Sequence, residues 1–118
     1  MTRLSLVQGD TAVLRVEIQQ ADGSAFDLDG WAIDFTIKRS QQDSNAAAVF
    51  HGTLAGGEIV LVTTTDAGLI DVTVPADKSV LMRIGRKYYW DCQVNKDGFV
   101  FTPCDGVIYA EGGTTTNE

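Results

Sequence analysis

Few side chains in this chain of 118 residues could do chemistry: one histidine, two cysteines, a run of aspartates and two tryptophans. His51 would act as a base only beside a nucleophile, and no serine or cysteine stands at a recognisable spacing from it. Gly-x-Ser-x-Gly, His-Glu-x-x-His and the Gly-rich phosphate loops are absent, and Gly56-Gly57 reads as a hairpin tip, not a strand-to-helix turn. The chain therefore reads as a non-enzyme, with no catalytic residue. Asp22, Asp27 and Asp29 could gather around calcium, which takes about six to eight oxygens from a rigid loop. The calcium-loop spacing is missing, however, and each aspartate stands where a turn wants one. Cys92, Cys104 and His51 lack the Cys-x-x-Cys spacing of a zinc site, so neither metal nor cofactor is expected.

The default for Cys92 and Cys104 is a pair of reduced, buried thiols. The alternative is a bridge: a hairpin closed over Asn95-Lys96-Asp97-Gly98 would bring the two close to opposite each other on adjacent strands. Trp31 and Trp90 could form sugar-stacking platforms, but both fall on the apolar phase of their strands, which places them in a core.

The elements that must position these residues follow a period of two. Trp31, Ile33, Phe35 and Ile37 alternate with polar residues through Lys38. Leu14, Val16 and Ile18 do the same, as do Ile70, Val72 and Val74, and Tyr88, Trp90, Cys92 and Val94. That alternation marks half-buried strands, and these residues are the expected core. Further strands are expected at about Leu4 to Val7, over Glu58 to Thr63, from Phe99 to Thr102 and from Val107 to Ala110. Ala46 to Leu54 reads as a weak strand or a partly helical crossover, and Ser40 to Asn45 as an exposed loop. Asp22-Gly23, Asp29-Gly30, Asp66-Ala67-Gly68 and above all Asp97-Gly98 are turn signals, and Asp105-Gly106 predicts a break or bulge. Pro75 opens one short helical crossover near 75–82, which Gly85 ends. About seven to nine strands, turns roughly every ten residues and an early tryptophan predict an all-β fold, an immunoglobulin-like antiparallel β-sandwich. It should occupy residues 1–111 as a single domain, with 112–118 as a flexible polar tail.

Sixteen acidic against nine basic residues give a net charge of −7, which argues against nucleic acid or an anionic membrane as partner. No apolar run approaches the roughly 20 residues of a membrane span, and no signal peptide opens the chain. Some apolar side chains have no place in a two-sheet core. Tyr89 is off phase in its strand, Phe99 and Phe101 compete with Val100 for the inward face, and Val60 and Val62 lie in a run apolar on both faces. Exposed apolar surface of this kind marks protein–protein contact, and these five residues are the interface candidates.

Leu6-Val7-Gln8-Gly9-Asp10-Thr11-Ala12-Val13-Leu14 is followed by Asp22-Gly23-Ser24-Ala25-Phe26-Asp27-Leu28-Asp29-Gly30-Trp31 and a strand ending in Ile37-Lys38. Gly85, Tyr88-Tyr89-Trp90-Asp91 and the Asp97-Gly98 hairpin complete the pattern. In these residues, across about its whole length, the chain resembles the N-terminal immunoglobulin-like domain of phage baseplate upper proteins. The resemblance implies a bacteriophage virion structural protein acting by packing in the tail, baseplate or neck, or as a fibre or head decoration adaptor. It also implies other phage structural proteins as partners, a homo-oligomer or multiple copies, and synthesis in the host cytoplasm before incorporation into the virion. The two cysteines and the stretch Arg83-Ile84-Gly85-Arg86-Lys87 depart from the family, and the expected lack of a linker helix or second domain implies a stand-alone copy rather than an anchor for a receptor-binding protein. The alternative expectation is a carbohydrate- or cell-surface-binding immunoglobulin-like module aiding host adsorption, in which Trp31 or Tyr89 is exposed.

Overall fold

Alternation of apolar and polar residues becomes strand wherever it is sustained. The computed structural model describes residues 2–20, 23–24, 26–28, 30–44, 47–62 and 68–112. Among them run β1 (Thr2–Val7), β2 (Ala12–Glu17), β3 (Ala32–Lys38), β4 (Phe50–Thr53), β5 (Ile59–Leu61), β6 (Leu69–Val74), the short helix α1 (Ala76–Ser79), β7 (Lys87–Lys96) and β8 (Phe99–Glu111). One sheet has the order β1-β8-β7-β3-β4 and the other β2-β6-β5. Two sheets, one of five strands and one of three, form an all-β sandwich.

The sheets are not wholly antiparallel, which corrects the expectation from sequence. β1 pairs in parallel with β8, from Thr2 opposite Gly106 to Val7 opposite Glu111. The cause is the turn after β1: Gly9, with φ of +85°, and Asp10 send the chain into the other sheet, so no hairpin fixes the direction of β1. The other pairings between these strands are antiparallel.

The core lies between the two sheets. Leu14, Val16, Ile18, Ile33, Phe35, Ile37, Ile70, Val72, Val74, Tyr88, Trp90, Cys92 and Val94 are all buried there. Phe35 stacks on Trp90 with ring centroids 5.5 Å apart, and Phe50 lies against it at 6.4 Å. Leu6, Phe26, Leu28, Val49, Phe50, Ile59, Met82, Ile108 and Ala110 are buried with them.

The crossover from β6 to β7 is pinned by polar groups. Pro75 precedes α1 with φ of −69°, a value its ring favours. The buried Ser79 hydroxyl donates to the Asp10 carbonyl at 2.7 Å and accepts from the Gly9 N–H at 3.1 Å, tying the helix to the β1–β2 turn. Gln8 Nε2 donates to the Met82 carbonyl at 2.8 Å. Tyr88 then accepts the Arg83 N–H on its phenol oxygen at 2.7 Å, the back-bond of a tyrosine corner, although Trp90 stands where a cysteine would follow.

Asp97-Gly98 closes β7 onto β8 as a two-residue turn with φ of +53° and +81°, the double positive-φ geometry that suits the strand twist. β8 runs unbroken through Asp105-Gly106, contrary to the break expected there, since Gly106 sits opposite Trp90 with no side chain of its own to place. The irregularity lies instead where Gln93 alone faces Thr102 and Pro103. Proline has no N–H for the ladder, so a bulge is where a strand tolerates it. Of the described part of the weak segment, 47–54, β4 alone is strand, and of 58–62 β5 alone; Ala46 lies outside the described residues. Asp22, Asp29, Asn45, Thr63, Asp66, Ala67 and residues 113–118 lie outside the described residues, and with them most of the expected tail and parts of four turn and loop readings.

Candidate functional site

Two ends of the sandwich carry apolar surface that the fold does not use. The first is the β7–β8 hairpin end. These strands are longer than any in the opposing sheet, so the inward face near their turn overhangs β2, β5 and β6. Phe26 and Trp31 cover that overhang in place of a strand. Phe101 meets both, with ring centroids 5.5 Å apart in each pair, and Phe26 meets Trp31 edge-on at 5.3 Å. Trp31, expected in the core, is therefore only half-buried and lies just before β3, its ring facing the Lys96 ammonium at 5.9 Å. Phe99 adds a fourth ring, edge-on to Phe101 at 5.5 Å, and nothing covers it: it is 66% exposed, with Val100 exposed on the other face of the tip. The result is an aromatic ridge whose outermost member faces solvent and whose inner members pack against one another.

The second end lies at the start of β7. After α1 the chain passes through Val80, Leu81 and Ile84, all exposed, with Ile84 at 57%. A parallel bridge from Ile84 to Ala110 and the Gly85 N–H on the Ala110 carbonyl, at 3.1 Å, fix this turn against β8. Lys78, Arg83, Arg86 and Lys87, four of the nine cations of an acidic chain, cluster in the same stretch and are exposed. A positive, apolar end on a chain of net charge −7 can recognise an acidic, apolar partner surface. The helical crossover expected near 75–82 left open which way Val80, Leu81 and Met82, at its end, would face. Only Met82 is buried. The basic residues of 83–87 were the available signal.

The other interface candidates are scattered. Val60 is exposed on the outer face of the small sheet beside Asp71, and Val62 is half-buried just past β5. Tyr89 is half-buried on the outer face of the large sheet, its ring 5.6 Å from the Lys87 ammonium. Around it that face is polar. Thr36 donates to Asp91 at 2.9 Å, and His51 Nε2 lies 3.2 Å from Asp34. On the small sheet Arg15 chelates Asp71 at 3.0 and 3.1 Å; the hydrogen bond from the guanidinium holds the Asp71 carboxyl below its ordinary range, against partial desolvation. Among the described residues no three His, Cys, Asp or Glu side chains gather to hold a metal ion. Of the calcium candidates, Asp27 is exposed, and Asp22 and Asp29 lie outside the described residues. No helix among the described residues is long and apolar enough to cross a membrane.

No protein-family model matches the chain, and no curated protein matches it significantly in sequence.

Proposed function

We propose that this chain is a non-enzymatic structural module of a bacteriophage particle, working by packing against other structural proteins in the tail, baseplate or neck, or as a fibre or head decoration adaptor. The observation that carries the reading is the aromatic ridge at the hairpin end. A phenylalanine 66% exposed, backed by three further rings, is a preorganised anchor, and buried aromatic anchors supply most of the binding energy of an interface. The turn and core residues shared with the immunoglobulin-like domain of phage baseplate upper proteins supply the particle context. The chain is made in the host cytoplasm and incorporated into the virion in multiple copies.

The test is quantitative peptide mass spectrometry on purified particles. A copy number fixed by particle symmetry supports the reading, and absence from particles overturns it. Phe99→Asp should reduce incorporation by at least about tenfold, the loss of a single interface anchor. Because Phe99 is exposed, the unfolding free energy should move by no more than about 0.5 kcal/mol. Unchanged incorporation would remove the hairpin end from the contact.

One observation favours a second reading, a carbohydrate- or cell-surface-binding module. Trp31 is half-exposed, as a sugar platform requires. Lys96 and the rings of Phe26 and Phe101 already crowd it, which favours the protein contact. Quenching of tryptophan fluorescence by a glycan would reverse that preference.

A further inference from the structure

Cys92 and Cys104 stand directly opposite each other in the register of β7 and β8. Opposed residues of an antiparallel pair project to one face, with Cβ atoms about 4.5–5.5 Å apart. Both thiols are free. Their access to solvent differs sharply. Cys92 is fully buried, whereas Cys104 is half-buried and lines a cleft of about 320 Å³ with Leu4, Val16, Glu17 and Trp90. A reagent entering from solvent meets the Cys104 sulfur first, with Cys92 behind it. The ladder is irregular beside the pair, where Gln93 faces both Thr102 and Pro103. An extra residue and a missing N–H give the strands slack there to close toward the Cβ separation of about 3.5–4.5 Å that a disulfide wants.

We propose that Cys92 and Cys104 form a reversible thiol–disulfide site, oxidised by a low-molecular-weight disulfide of the glutathione class and reduced by the corresponding thiol. Cys104, having lost its proton to solvent, attacks one sulfur of the small disulfide. That S–S bond breaks, and one small thiolate leaves and takes up a proton. The Cys92 thiol then gives up its proton, and its sulfur attacks the Cys104 sulfur of the mixed disulfide, expelling the second small thiol. The two electrons lost by the cysteine pair reduce the small disulfide to two thiols.

The order of attack follows from the surroundings. The hydrogen bond from the Cys92 thiol holds Cys104 below its ordinary range, against burial and the carboxylates of Asp105 and Asp91. The same hydrogen bond, then burial, pushes Cys92 far up, so Cys92 is the poorer first nucleophile. A bridge between opposed strands sits away from the preferred disulfide geometry, and such bonds are the labile, readily reduced ones. It would join the two strands midway along the hairpin whose tip carries Phe99.

The experiment uses the folded wild-type chain, oxidised glutathione as the reagent and iodoacetamide to trap remaining thiols, read by peptide mass spectrometry. The expected product is a chain lighter by two hydrogens, with an intramolecular link between the peptides carrying Cys92 and Cys104, reversed by reduced glutathione. Before oxidation, Cys104 should alkylate at least about tenfold faster than Cys92. Cys92→Ser should stop at a stable glutathione adduct on Cys104, and Cys104→Ala should leave Cys92 unmodified until the protein unfolds. Two unreacted thiols, a bridge between separate chains or equal alkylation rates would each overturn the proposal. The alkylation comparison needs no variant, so it decides even where Cys92→Ser fails to fold.

Discussion

Phe35→Ala is expected to lower the unfolding free energy by about 3–5 kcal/mol, the range for deleting a buried phenyl ring. Phe35 is fully buried at the centre of β3 and touches both neighbouring strands of its sheet in register, Gly52 on β4 and Cys92 on β7. Its ring stacks on Trp90 at 5.5 Å and lies beside Phe50 at 6.4 Å. Removing it leaves a void that two rigid aromatic walls cannot fill, so the cavity contribution adds to the lost transfer energy. A domain of this size holds about 5–15 kcal/mol in total, so the variant keeps a fraction of its stability. Urea denaturation checks this: with a slope of about 1–3 kcal/mol/M the midpoint should fall by roughly 2 M. Phe35→Leu, which retains most of the volume, should cost less than about 1.5 kcal/mol. Equal losses for the two variants would mean that the stack with Trp90, rather than volume, holds this part of the core.

Phe35 also shows why so much of the fold was legible in the sequence. Its phase in the alternation Trp31, Ile33, Phe35, Ile37 is dictated by a pleat that sends every second side chain inward. A one-residue slip would expose the whole set, so the pattern and the buried face must agree. The Asp97-Gly98 turn was equally legible, since few sequences accept two successive positive φ values. Trp31 shows where such reasoning stops. It shares the phase of Phe35, yet burial also depends on what stands across the gap. Beside Trp31 the described strands of the facing sheet have already ended, and Phe26, Phe101 and the Lys96 ammonium meet it instead. Strand phase is local information, whereas the relative lengths of two facing sheets are not. The parallel β1–β8 pairing was hidden for the same reason: it joins residues about a hundred positions apart, and no turn between them records it.

The candidate site divides along the same line. Phe99 and Phe101 were visible as candidates because alternation left too many aromatics for one inward face of a short hairpin. The opposite end, with Val80, Leu81, Ile84 and the cations around them, was not visible, because a short helical crossover near 75–82 does not by itself say which of its closing apolar residues face the core. The helix is a single turn, and Ser79 rather than an apolar side chain docks it to the β1–β2 turn, leaving its successors outside. The two ends lie at opposite limits of the β7–β8 pair, which spans both of them. Under the function proposed above, contacts at both ends of this pair would join the module to two neighbours.

Gly68→Ala is expected to cost about 2–5 kcal/mol, far more than a methyl group on a turn ordinarily does. Gly68 holds φ of +69°, and a left-handed backbone costs an L-residue about 1–2 kcal/mol. The methyl would also have no space, since its carbon would stand 2.4 Å from the Ile18 carbonyl oxygen and 3.1 Å from the Phe26 nitrogen. Those two atoms are hydrogen-bonded to each other at 3.1 Å, and the Gly68 carbonyl itself accepts the Ile18 N–H at 2.7 Å. Backbone on both sides cannot swing away as a side chain would, so relieving the clash means breaking one of these bonds, at about 1–3 kcal/mol for a buried partner left unmet. Gly57→Ala is the control. Its φ of +91° carries the same conformational cost, but nothing lies within 4 Å of the added carbon, so only the backbone strain should appear. The Gly68 variant should have a second signature. Phe26, displaced with its backbone, is one of the rings that hold Trp31, whereas Trp90 is stacked on Phe35 deep in the core. Tryptophan emission from folded Gly68→Ala should therefore shift toward longer wavelength through Trp31 alone, and Trp31→Phe should abolish the shift. Similar stability losses for Gly57→Ala and Gly68→Ala, with unchanged emission, would mean that the junction of Ile18, Phe26 and Gly68 yields easily and that the aromatic end does not depend on it.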